Sequence, residues 1–292
     1  MFCSRPMHTI SERHPTGRHG KLKLSFAKQH GRTTMTESFF RVPLQVMKPY
    51  HDESGCLCLY LLSPTGGIVQ GDDYQIEVHL SKETHVLLTT QAATKVYGMP
   101  RHAARQHIHF YVGENALLEY LPDPTILFRE ANFDQRMHLF LARGAKAVVQ
   151  EIIMPGRLAR GEVLAFTQYR AHFEASDEKG MLLYDAFCLQ PTHTPNLTSL
   201  GVLEEYPCWG GLYLLGNLEL THHEWEDLCE RADSFLNQRG ESIGGLSRLH
   251  RNGIAIRMVA HHAQTIQSAF QTVWNDLKTE MLELTAINLR KY

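Results

Sequence analysis

Two acids beside a glycine-rich turn, and acids and histidines set two apart along strand-like runs, are the groups here that could do chemistry. The turn is Ser63-Pro64-Thr65-Gly66-Gly67-Ile68-Val69-Gln70-Gly71-Asp72-Asp73. Glycine reaches positive φ without steric cost, so three glycines in six residues expose backbone in a tight turn. Beside Asp72 and Asp73, such a turn could serve phosphate or metal chemistry. It could equally be a structural hairpin whose Asp72 caps backbone amides. Glu77 and His79 would share one strand face and could form a two-donor metal patch. His107 and His109 share a face in the same way. They belong to a set of 18 histidines, spread along the chain and not gathered in a tract. Any one of them is more often a solvated or core residue than a ligand. The pairs His222-His223 and His261-His262 are adjacent, and helical neighbours point about 100° apart, so neither pair clamps a metal alone. Cys56 and Cys58 lie in a strand-like run with both sulfurs on one side. They read as core thiols, or less commonly as a soft-metal pair.

Established enzyme signatures are missing from this sequence. No G-x-x-x-x-G-K-[ST] occurs, and the glycine turn is followed by alternating strand residues, so the dinucleotide fingerprint fails its context. Neither G-x-S-x-G nor H-E-x-x-H is present. In the second notable segment, Thr89-Thr90-Gln91-Ala92-Ala93-Thr94-Lys95-Val96-Tyr97, no base stands beside a hydroxyl to make a nucleophile. There Thr89 and Thr90 read as the end of a strand, and Lys95 and Tyr97 as a surface pair. Cys56 or Cys208 as a nucleophile has no local support.

The elements that would position these groups are mostly short strands. Leu22, Leu24 and Phe26 alternate with polar neighbours, as do Tyr74 to Leu80 and Tyr169 to Ala175. Residues 147–153 are more continuously apolar, as in a strand covered on both faces. Two helices are expected in the last third. One starts at Thr221 with a capping box to Glu224 and ends at Gly240. The other spans about Ala263 to Leu284, with Ile266, Ala269, Phe270, Val273, Trp274, Leu277 and Met281 as its apolar stripe. Core burial is the expected use of Trp225 and Trp274. Between the helices a hairpin should turn at Asn252-Gly253. The expected architecture is mainly β, a single elongated many-stranded domain over 20–292, preceded by a disordered extension over 1–19.

Of the 292 residues 43% are hydrophobic, and the net charge is −2, which gives no electrostatic case for nucleic acid or an anionic membrane. The longest apolar run, Leu57 to Leu62, is far short of the roughly 20 residues of a membrane span. The first 20 residues lack an apolar stretch and do not read as a secretory signal. Six scattered cysteines suggest a reduced, cytoplasmic protein.

Taken together, the turn at Ser63–Asp72 and the segment Thr89–Tyr97 resemble the urease accessory protein family UreD, also called UreH. Leu121-Pro122-Asp123-Pro124 looks like the family's Leu-Pro-x-Pro element. Arg157-Leu158-Ala159-Arg160-Gly161-Glu162 looks like its Gly-Arg-x-Ala-x-Gly-Glu element. Pro43-Leu44-Gln45-Val46 and Lys48-Pro49-Tyr50 fit its early strand. Gln70 stands where the family usually has glycine, and Gly98 where arginine often follows the tyrosine.

The resemblance implies a non-catalytic, almost entirely β protein with two helices. Such proteins bind apo-urease and recruit UreF and, through it, the GTPase UreG. The assembly loads two nickel ions beside a carbamylated lysine of urease. No permanently bound cofactor is implied, only transient Ni²⁺. Ni²⁺ favours imidazole, carboxylate and water, and passage needs weak serial sites. Asp72 is the first candidate contact. Glu162 is the second, because the family motif places an acid there. Glu77 and His79 come next. A metal-dependent enzyme using Asp72, Glu77 and nearby histidines is the alternative reading, and a generic β-rich interaction module a third.

Overall fold

A computed structural model describes residues 18–193, 197–216, 218, 220–251, 253–282 and 284. The chain opens with β1 (His19–Gln29) and β2 (Arg32–Arg41), then β3 (Gln45–Val46), β4 (Tyr50–His51) and β5 (Leu57–Leu62). It continues with β6 (Asp73–Leu80), β7 (His85–Thr90), β8 (Thr94–Val96), β9 (Ala104–Val112) and β10 (Leu117–Tyr120). Next come β11 (Thr125–Leu127), β12 (Asn132–Leu141), β13 (Lys146–Met154), β14 (Gln168–Asp177), β15 (Gly180–Leu189) and β16 (Cys208–Gly216). The last third carries α1 (His222–Leu236), β17 (Ser242–Arg248), β18 (Gly253–Ala260) and α2 (Ala263–Leu282). The architecture is mainly β with two late helices, as expected. Most of the expected extension, residues 1–17, lies outside the described residues, and β1 already begins at His19.

The strands form two sheets through a solenoid-like winding. A seven-stranded sheet has the order β15-β14-β12-β9-β6-β1-β2. An eleven-stranded sheet has the main order β17-β18-β16-β13-β10-β7-β5-β3, with β4, β8 and β11 attached at its side. From β5 to β14 the chain passes back and forth between them. β5, β7, β10 and β13 stack parallel in the larger sheet. β6, β9, β12 and β14 stack parallel in the smaller one. Parallel neighbours need a crossover connection, and here each crossover is a strand of the opposite sheet.

Period-2 alternation fills the space between the sheets. Leu22, Leu24 and Phe26 from β1, Ile76 and Val78 from β6, and Tyr169 and Ala175 from β14 are buried there. In β13, Ala147, Val149 and Ile153 join that core, while Val148 and Ile152 face a second core under the helices. Both faces of this strand are therefore covered, as its sequence suggests. Gln150 and Glu151 interrupt the apolar run.

Helix α1 starts with the expected capping box: Glu224 N–H donates to Thr221 Oγ1 at 3.3 Å, and Thr221 N–H donates to Glu224 Oε2 at 2.8 Å. It stops at Leu236, before the expected Gly240. Asn237 ends it by exchanging side-chain hydrogen bonds of 2.9 and 3.0 Å with the backbone of Gly244 on β17. Leu228, Ala232 and Leu236 bury against the larger sheet, as do Ile266, Phe270, Val273, Trp274 and Leu277 of α2. Each large side chain buried this way stabilises by about 1.5–3 kcal/mol. The second helix ends at Leu282, two residues before the expected limit, and the side chain of Met281 lies outside the described residues. The β17–β18 hairpin forms as expected, though Asn252 of its turn also lies outside them. No helix among the described residues is long and apolar enough to cross a membrane.

Candidate functional site

The glycine turn is a crossover and not a hairpin. It carries the chain from β5 in the larger sheet to β6 in the smaller one, so the two strands never pair. A hairpin reading fails because parallel coils place successive strands in opposite sheets. Asp72 does cap the turn: its Oδ2 accepts from Val69 N–H at 2.9 Å and from Tyr74 Oη–H at 2.7 Å. Only 3% of Asp72 is exposed, so both bonds are shielded from water. Burial, and then the Asp72 carboxylate, push the Tyr74 phenol well up and keep it a donor.

The turn is also joined to the second segment. Ile68 N–H donates to Lys95 O at 2.7 Å, and Tyr97 N–H donates to Ile68 O at 2.9 Å. Gly67 has φ +147, and a Cβ there would stand 2.4 Å from Lys95 O. The glycine is required because the two backbones touch.

Glu162 closes the chain of motifs. Its Oε2 accepts from Arg157 Nε at 3.2 Å and Nη2 at 2.5 Å, and its Oε1 accepts from Arg129 N–H at 2.9 Å. The Arg157 guanidinium holds this carboxyl below its ordinary range. Arg157 in turn lies 4.8 Å over the Phe128 ring, which meets Tyr97 edge-on at 5.1 Å. Sequence elements some 60 residues apart thus form one connected surface.

That surface borders a cavity of about 400 Å³. Ser63, Pro64 and Gly66 to Ile68 line it from the turn, Thr90 to Lys95 from the second segment, and Pro122, Asp123 and Thr125 from the third. Gln106, Gln135, Gln150 and Glu151 supply its polar interior, with Tyr74 and Tyr120. Glu151 is the group sequence reasoning passed over. Tyr169 Oη–H and Gln135 Nε2–H donate to its Oε1 at 2.6 and 2.7 Å, and burial pushes its carboxyl up to about 7. Its signal was the polar break within the apolar run of β13. Asp72 and Glu162 do not line the cavity themselves; they fasten its walls.

Glu77 and His79 lie elsewhere, on the outer face of the smaller sheet. His79 Nε2 is 2.6 Å from Glu77 Oε1, and the imidazole stacks on Tyr111 at 4.6 Å. The His79 hydrogen bond lowers the Glu77 carboxyl. Strand register sets Lys23, Glu77, His109, His138 and Glu174 in one row across this face. His109 and His138 stack at 5.1 Å, and burial, then His109, lower the His138 imidazole. Among the described residues, neither this row nor the Glu77–His79 pair brings three metal donors within 4.8 Å of one another.

Comparison with known proteins agrees with this geometry. A profile of the family described as UreD urease accessory protein matches residues 18–291. The chain is 30% identical over 278 residues to "Urease accessory protein UreD" of Haloarcula marismortui, covering 94% of this chain and 91% of that one. It is 32% identical over 271 residues to the protein of the same description from Nostoc punctiforme, covering 91% and 92%. A match to "Urease accessory protein UreD 2" of Streptomyces griseus reaches 37% over 167 residues, 56% of this chain and 57% of that one. With the matched segments welded around one cavity and the match running nearly end to end, the chain belongs to the UreD urease accessory protein family.

Proposed function

We propose that this protein is a non-catalytic scaffold of urease maturation that binds apo-urease, recruits UreF and through it the GTPase UreG, and passes Ni²⁺ through its inter-sheet cavity. It works in the cytoplasm and keeps no permanent cofactor. The observation that carries the reading is the cavity itself, walled by the turn, by Thr90–Lys95 and by Pro122–Thr125. Its donors are amides, hydroxyls and the two carboxyls of Asp123 and Glu151, which bind a divalent cation weakly enough to release it. Glu151, with its carboxyl pushed up to about 7, would exchange a proton for the arriving cation and recover it on departure. Asp72 and Glu162 support passage by holding the walls.

Co-expression of the urease subunits, UreF and UreG with Asp72→Ala, Glu162→Ala or Glu151→Ala versions tests this. Urease nickel content should fall severalfold while each variant still co-purifies with UreF and apo-urease. Full nickel loading by all three variants would remove the conduit from the proposal. Failure of wild-type protein to co-purify with UreF would remove the scaffold role.

A further inference from the structure

A second group of metal-type ligands lies on the opposite side of the larger sheet from the cavity. Leu57 and Leu59 of β5 point into the inter-sheet core, so Cys58 points the other way, where Cys56 and Leu87 share a small buried cluster with it. Both cysteines are fully buried. Their S–H groups reach backbone carbonyls only at 3.9 Å, a long contact even for sulfur.

Two donor triads meet at Cys56. The ligand atoms of Asp52, Cys56 and Cys58 lie within 4.8 Å of one another, and so do those of Cys56, His85 and Glu119. Asp52 is fixed by hydrogen bonds from Ser54 N–H, Ser54 Oγ–H and Cys56 N–H, all ending on Oδ1 at 2.7–2.9 Å. Its other oxygen remains available to a cation. Glu119 is fixed from behind. Lys278 Nζ and His85 Nε2 reach its Oε1 at 2.8 and 2.6 Å, and Trp274 Nε1–H reaches its Oε2 at 2.6 Å. A carboxylate holding one ring nitrogen of a histidine is the usual arrangement behind a metal-ligating imidazole. Lys278 balances the charge of Glu119, so a divalent cation would offset two of the three negative charges of Asp52 and the two thiolates.

We infer that Cys56, Cys58 and Asp52 form a site for a thiophilic divalent cation such as Zn²⁺ or Ni²⁺, with His85 and Glu119 beside Cys56 as a second triad. Binding releases the two thiol protons to solvent and makes two metal–sulfur bonds, with no change of oxidation state. The site ties the turn after the two-residue strand β4 to the start of β5, at a sheet edge where β4 pairs over only two residues. It is independent of the urease reading, because it lies across the sheet from the cavity.

Titration of the reduced full-length chain with Co²⁺ tests the site. A sulfur-to-metal charge-transfer band in the near ultraviolet should saturate at about one equivalent and disappear when Zn²⁺ is added. Cys56→Ser and Cys58→Ser should each lose most of the band, and Cys188→Ser, at an exposed thiol, should keep it. Surface histidines that pick up Co²⁺ give no such band. Zinc absorption-edge spectroscopy on the wild-type chain needs no variant to fold, and should show two sulfur neighbours. Absence of the band in wild type, its persistence in both cysteine variants, or a shell of nitrogen and oxygen alone overturns the site.

Discussion

At the residue scale, Glu151 makes the most direct demand on the protein. Its carboxyl is pushed from about 4.5 up to about 7 by burial. The folded state therefore favours the protonated form. The stability this contributes is fully present below the unfolded-state value and is lost as pH rises through the folded one. At 1.36 kcal/mol per pH unit, the penalty on an ionised Glu151 reaches roughly 3 kcal/mol above neutrality. Glu151→Gln keeps an acceptor for Tyr169 and Gln135 and carries no charge. Urea unfolding should show it nearly equal to wild type at pH 4.5 and more stable by up to about 3 kcal/mol at pH 8. A difference independent of pH would mean that Glu151 is solvated in the folded protein. Such a cost is expected to persist where a site needs the group. The sequence made Asp72 and Glu162 conspicuous because they stand beside glycines and arginines. It hid Glu151, because a polar pair inside an apolar strand looks like noise until the register shows which way each side chain points.

At the scale of elements, the strands were readable and their partners were not. Alternation in β1, β6 and β14, and the capping box of α1, are local patterns, and each lies where the sequence puts it. Which sheet a strand enters is not local. β5 and β6 are separated by a turn that would suit a hairpin, yet they lie in different sheets. The deciding contact is the backbone of Lys95 against Gly67, 28 residues away in sequence. Two glycines of the turn separate conformation from contact. At Gly66, φ is +83 and nothing lies within 4 Å of an added Cβ, so Gly66→Ala costs only the left-handed backbone, about 1–2 kcal/mol. At Gly67 the added methyl also meets Lys95 O at 2.4 Å and Tyr97 Cε2 at 2.8 Å. Gly67→Ala should therefore lose more, about 3 kcal/mol, and should raise hydrogen exchange at the Ile68 and Tyr97 amides. Equal losses at the two positions would show that the crossover is not clamped to β8.

At the scale of the whole molecule, the layers must be tied to each other, and one buried network ties the helical layer to the larger sheet. Glu119 on β10 and Lys278 on α2 are both 0% exposed and lie 2.8 Å apart, with Trp274 and His85 completing the carboxylate's shell. Burial alone would raise the Glu119 carboxyl, but the His85 hydrogen bond and the Lys278 charge outweigh it and leave the carboxyl lowered. No helical pattern marks Lys278 as internal, since it simply follows the apolar Leu277. Its role depends on a partner 159 residues earlier. Removing one partner leaves an uncompensated buried charge, so Lys278→Met should destabilise by about 3–5 kcal/mol at pH 7. A folded-state carboxyl held low contributes stability above its unfolded value and loses it as pH falls. The gap between wild type and Lys278→Met should accordingly narrow at acid pH, where Glu119 is protonated in both. The double variant Glu119→Leu with Lys278→Met removes both charges and should recover most of the loss, because apolar side chains replace buried ion pairs at little cost. If the double variant is as unstable as the single one, the network positions α2 through its geometry and not through its charge balance. In that case hydrogen exchange should show α2 opening while the β7–β10–β13 stack stays protected.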